Sequence, residues 1–93
     1  MYSISADCEA FFSEKGHNNF FYPKENKKTI LPKGTNIKIM PWISIRNLVP
    51  VRVEKKNVFD LLQTSIPGKF VILWVNKNLI KRDYEKYYNK SDS

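Results

Sequence analysis

A chain of 93 residues, 42% hydrophobic and 14% aromatic, is long enough for one packed domain and too apolar for a disordered tail. Its net charge of +7 points toward polyanions or acidic protein surfaces, while a single cysteine and a single histidine exclude an intramolecular disulfide and the common Cys/His zinc patterns. No apolar run approaches the roughly 20 residues of a membrane-spanning helix, and Met1-Tyr2-Ser3-Ile4-Ser5 has no basic segment leading into an apolar one, so a cytoplasmic protein is expected.

Ile4, Cys8, Phe11 and Phe12 fall at i, i+4, i+7 and i+8, which predicts an N-terminal helical segment over 3–15. Ser3 or Ser5 would cap it, and Lys15-Gly16 would stop it. Two short β-prone pieces, Phe20-Phe21-Tyr22-Pro23 and Thr29-Ile30-Leu31, flank Lys24-Glu25-Asn26-Lys27-Lys28 and predict a hairpin, with Pro23 at an edge or outside the ladder. Three adjacent aromatics on a strand cannot all face one core, so at least one of Phe20, Phe21 and Tyr22 is expected at the surface.

The turn Leu31-Pro32-Lys33-Gly34-Thr35 opens an alternating strand, Asn36-Ile37-Lys38-Ile39-Met40, with Ile37 and Ile39 inward. Pro41-Trp42-Ile43-Ser44-Ile45-Arg46-Asn47 is richer in apolar residues than an ordinary connection, and Trp42 suits either the core or an exposed groove. Residues 48–54 alternate again, with Val49, Val51 and Val53 on one face; Pro50 predicts an edge strand. In residues 58–65, Val58, Leu61 and Leu62 suit a helical turn, while Thr64 and the following Ile66 suit a strand; a strand turning through 65–68 into Phe70-Val71-Ile72-Leu73-Trp74-Val75 is preferred. Those six unbroken apolar residues, β-branched and aromatic, predict the central strand of the fold, buried on both faces. Leu79, Ile80, Tyr84, Tyr87 and Tyr88 predict a C-terminal helix over about 79–88. The expected fold class is therefore α+β, mainly β. One domain spans 1–93, with a β core at about 20–76 and two helices covering the second face of the central strand.

Candidate binding residues are basic and aromatic. One group is Lys24, Lys27, Lys28 and Lys33 near Phe21 and Tyr22, where lysines could follow a phosphate backbone while bases stack on rings. A second is Arg46, Arg52, Lys55 and Lys56 with Trp42. It is preferred because its arginines offer forked donors for phosphate. A third is Lys77, Lys81, Arg82, Lys86 and Lys90. Thirteen of the sixteen basic residues are lysine, and with nine asparagines and nine isoleucines they share A/T-rich codons, so genome composition also accounts for part of the charge. Cys8, on the inward face of its segment, and His17, among asparagines, make no convincing catalytic pair. No enzyme activity, metal or cofactor is expected.

The Leu31-Pro32-Lys33-Gly34-Thr35 turn, the two alternating strands, and the strand ending Trp74-Val75 before Leu79-Ile80 resemble a small SH3-like barrel over about residues 29–80. The resemblance implies a binding module rather than an enzyme. Two functions follow as expectations. One is a nucleic-acid-binding accessory protein using a basic face with Arg46, Arg52, Lys55, Lys56, Trp42, Lys27, Lys28 and Tyr22. The other is a protein-binding module or inhibitor, of viral or mobile-element type, that docks on a host protein through an aromatic anchor.

Overall fold

The computed structural model describes residues 2–16, 20–58 and 68–82. They form seven strands, β1 (Tyr2–Ile4), β2 (Cys8–Lys15), β3 (Phe21–Leu31), β4 (Asn36–Ile39), β5 (Leu48–Glu54), β6 (Phe70–Asn76) and β7 (Ile80–Arg82). All pairings are antiparallel, in the order β3-β2-β6-β5-β4-β1-β7. Single 3₁₀ turns, Lys55–Asn57 and Lys77–Leu79, follow β5 and β6. Among the described residues there is no α-helix, and no helix long and apolar enough to cross a membrane.

The sheet must be strongly curled. β1 and β2 stand four strand positions apart, about 19 Å in a flat sheet. Yet only three residues lie between Ile4 and Cys8, and the four Cα–Cα steps reach at most about 14 Å. Curling folds one face inward on a core of Ile4, Cys8, Ala10, Phe12, Leu31, Ile37, Val51, Val53, Val71, Leu73 and Val75. The seam is held by backbone bonds from Ile4 N–H to the Thr35 carbonyl (3.0 Å), Gly34 N–H to the Ile4 carbonyl (2.7 Å) and Ser5 N–H to the Leu79 carbonyl (2.8 Å). The Asp7 carboxylate accepts from Lys33 N–H at 2.7 Å, so residues 32–35 bridge the seam. Gly34 makes that turn possible. Thr35 N–H donates to the Pro32 carbonyl at 3.2 Å with Gly34 at φ +88, a type II turn whose third position favours glycine.

The α+β expectation is overturned at the N-terminus, where residues 3–15 hold most of β1 and all of β2 rather than a helix. The reason lies in the numbers. Positions 4, 8 and 12 satisfy a helical repeat, but all are even and satisfy a strand repeat as well. Ala10, fully buried between Cys8 and Phe12, completes the period of two, while Glu9 is exposed on the other face. At the C-terminal side, Leu79 ends a 3₁₀ turn, 80–82 pair with β1 as a strand, and positions 83–88 of the expected helix lie outside the described residues. So does most of the strand expected over 58–65, of which the buried Val58 is described.

The hairpin expected over 20–31 is instead one eleven-residue edge strand, β3, whose partner is β2. Pro23 does sit on an edge. β6 is central as expected, with Val71, Leu73 and Val75 in the core. On its other face Trp74 is fully buried, but Phe70 remains 42% exposed, and no helix among the described residues covers it. Pro50 was expected to mark an edge, yet β5 lies between β4 and β6. Met40 N–H donates to the Pro50 carbonyl at 2.9 Å, so the Pro50 nitrogen also faces β4. Its missing N–H falls where the β4 ladder ends, and the β6 side loses nothing.

Candidate interaction surface

Pro50 has a consequence for the connection ahead of it. With no N–H to answer the Met40 carbonyl, the β4–β5 ladder stops and residues 41–44 leave the sheet. The chain is recaptured by a tight turn in which Ile45 and Leu48 exchange backbone bonds of 2.9 and 2.8 Å across Arg46 and Asn47. Both central residues have positive φ, 50° and 66°, the signature of a type I′ hairpin turn.

The excursion carries Trp42 onto Phe21 of β3, with ring centroids 4.7 Å apart and planes 12° from parallel. The β2–β3 hairpin presents that ring by two devices. Gly16 N–H donates to the Phe20 carbonyl at 2.7 Å, closing the hairpin end, and the Gly16 α-carbon lies so close to Tyr22 that a β-carbon would stand 2.8 Å from its ring. Farther along, the register jumps from Phe11↔Lys28 to Phe12↔Lys24, which leaves Glu25, Asn26 and Lys27 as a bulge. From the bulge Lys27 lies over the Phe12 ring, 5.2 Å from its centroid, and Glu25 pairs with Arg46 of the tight turn.

Between hairpin and excursion lies an open cleft of about 440 Å³. Phe20, Phe21 and Tyr22 form one side, and Pro41, Trp42, Ile43 and Ile45 the other. None is charged. Phe20 and Ile43 are 63% and 73% exposed, unusual for large apolar side chains grouped in one place. A smaller hollow of about 260 Å³ shares Phe21 and Trp42 and runs on to Ser13, Phe70 and Ile72. Lost hydration, then the hydrogen bond and charge of Glu14, its cross-strand neighbour, hold the Tyr22 phenol above its ordinary value. Tyr22 is therefore neutral at physiological pH, and the cleft carries no charge of its own.

The expected cationic residues are dispersed. Lys28 pairs with Glu9 at 3.1 Å, Lys24 with Glu14 at 3.8 Å and Lys56 with Glu54 at 3.2 Å. Arg46 sits at one end of β5, and Lys55 and Lys56 follow its other end, so the preferred group is spread along the length of that strand. Arg52, mid-strand, lays its guanidinium 4.4 Å from the Phe70 centroid, and Arg82 lies 5.3 Å from that of Tyr2. Lys86, Lys90 and His17 lie outside the described residues. Trp42 and Tyr22, both singled out from sequence, do meet in the cleft. Phe20, Pro41, Ile43 and Ile45 were not singled out, although the apolar content of the 41–47 connection was the signal for three of them.

Cys8 is buried, and burial first, with the Asp7 charge second, pushes its thiol above the ordinary 9.0. A thiol so placed is a poor nucleophile. Among the described residues no three His, Cys, Asp or Glu side chains cluster as metal ligands do. No family model matches this chain, and neither a curated protein nor a solved structure resembles it at a significant level.

Proposed function

We propose that the chain is a protein-binding module of SH3-like type whose uncharged aromatic cleft takes an apolar segment of a partner. The observation that carries this reading is the cleft itself: seven apolar or aromatic residues from two separate parts of the chain, none of them charged. A patch that is aromatic and free of charge has the composition of a protein interface core. The SH3-like assignment draws support from the Pro32–Thr35 turn opening β4 and from the 3₁₀ turn that joins β6 to β7.

The nucleic-acid reading is less well supported. Four of the cations nearest the expected contacts already have carboxylate partners, and Phe21 and Trp42 occupy one face of each other's ring, leaving less ring surface for bases.

Selection from a random peptide library against the full chain tests the proposal. Binders are expected whose affinity falls by about tenfold or more with Ile43→Glu, a change at an exposed position that leaves the core untouched. Peptides that bind the variant equally well would overturn it. So would tight binding of single-stranded oligonucleotides that weakens steeply with salt and ignores Ile43→Glu.

A further inference from the structure

A hollow of about 570 Å³, roomier than the aromatic cleft and separate from it, lies over β4, β5 and the start of β6. Its floor holds an electrostatic conflict. Lys38 on β4 and Arg52 on β5 are direct cross-strand partners, which places two cations side by side on one face of the sheet. Like charges so placed destabilise a sheet. Four other outward cations have acids within reach: Lys28 has Glu9, Lys24 has Glu14, Lys56 has Glu54 and Arg46 has Glu25. Among the described residues no carboxylate pairs with Lys38 or Arg52. Glu54 also lines the hollow, but its carboxylate is engaged by Lys56 at 3.2 Å.

We infer that Lys38 and Arg52 form a binding site for a phosphate monoester. Arg52 supplies the forked donor that fits two phosphate oxygens, and Phe70 beneath it at 4.4 Å holds the guanidinium plane in place. Lys38 adds a second, mobile charge. Asn36, two residues along the same face of β4, adds an uncharged donor. Tyr2 and Phe70 also line the hollow, and their rings suit the organic group that carries the phosphate. A dianion neutralises both cations at once, which a single carboxylate cannot do. The site is thus stabilised by its ligand, and the repulsion between empty partners is the cost of keeping it ready. The inference does not depend on the occupant of the aromatic cleft.

The test is a titration of the ¹⁵N-labelled full chain with phenyl phosphate, inorganic phosphate and acetate, followed by amide shifts. Saturable shifts at Asn36, Lys38 and Arg52 are expected with phenyl phosphate, weaker ones with inorganic phosphate, and none that saturate with acetate. Binding should strengthen as pH rises through about 6, where the monoester becomes a dianion. Lys38→Glu should weaken binding by about tenfold or more and at the same time raise the melting temperature by about 1–4 °C, because it turns a repulsive cross-strand pair into an attractive one. Lys38→Gln should also weaken binding and raise the melting temperature by a smaller amount than Lys38→Glu, because it removes the repulsion without adding an attraction. No saturable shift, binding that survives Lys38→Glu, or a thymidine oligonucleotide that competes as well per phosphate as phenyl phosphate would each overturn the inference.

Discussion

Phe21 of β3 and Trp42 of the β4–β5 connection lie face to face, 4.7 Å between centroids, and join two parts of the chain that share no ladder. If the stack holds the cleft open, the two rings must be energetically coupled. Unfolding of Phe21→Ala, Trp42→Ala and the double variant in urea is expected to give a coupling of about 0.5–1.5 kcal/mol, the usual worth of an aromatic pair beyond its buried area. Additive losses would mean that the rings are neighbours without being partners.

Gly16 faces the Tyr22 ring at a distance that leaves no room for a methyl group, since a β-carbon would sit 2.8 Å from a ring atom. Gly16→Ala is expected to push Tyr22 out of its place and to cost about 1–3 kcal/mol through overcrowding. The atom in the way belongs to a side chain that can swing, so the lower end of that range is favoured. Shifted Tyr22 ring resonances with a preserved β6 amide pattern would show that the cleft had changed shape and the fold had not.

The tight turn sets two effects against each other. Arg46 and Asn47 hold positive φ, which costs a non-glycine residue on the order of 1 kcal/mol, less for asparagine. Arg46 also pairs with Glu25, but both side chains are well exposed, and such pairs contribute about 0–1 kcal/mol. Arg46→Asn combined with Asn47→Gly supplies the residue pair that type I′ turns prefer. A net gain of about 0.5–1 kcal/mol is expected, read as a rise in melting temperature. A fall would show that the tie between the turn and the β3 bulge outweighs the turn's own strain.

Burial of Cys8 links stability to alkaline pH. Its thiol is raised in the folded state, so the unfolded chain releases this proton first as pH increases. The contribution is complete below about pH 9, the unfolded value, and is lost as pH rises from there through the higher folded value. The stability difference between wild type and Cys8→Ala is therefore expected to be constant from pH 6 to 8 and to shrink above 9. The wild-type thiol should react with a disulfide reagent only as fast as the chain opens.

Strands with unbroken or alternating apolar patterns were legible in the sequence: 36–39, 48–54 and 70–76. β2 was not, because Ile4, Cys8 and Phe12 obey two periods at once and the small Ala10 that decides between them carries little weight by itself. β3 was obscured by its edge position, where a run from Lys24 to Lys28 needs no apolar partner and reads as loop. The dispersal of the cations was beyond reach for another reason. Whether Lys28 meets Glu9, or Arg46 meets Glu25, depends on register and on a three-residue bulge, and neither leaves a mark in local composition. Trp42 and Tyr22 were recognisable as candidate binding aromatics, though Trp42 suited the core as well as a groove, and their shared cleft exists because Pro50 releases the chain ahead of β5.

The strand order has one more consequence, for the path to the folded state. β1 and β2 are neighbours in the chain, yet β1 pairs with residues 36–37 and 80–82, and its place is prepared only after β4 and β7 exist. Adjacent hairpins such as β2–β3 and β4–β5 can form from local chain, whereas closing the seam must wait for segments almost a whole chain length apart. Folding of this kind is slow for the size of the domain. A nascent chain would expose the apolar inner face of its sheet until residues near Arg82 arrived, and that interval is when the protein is most vulnerable to association with its own copies.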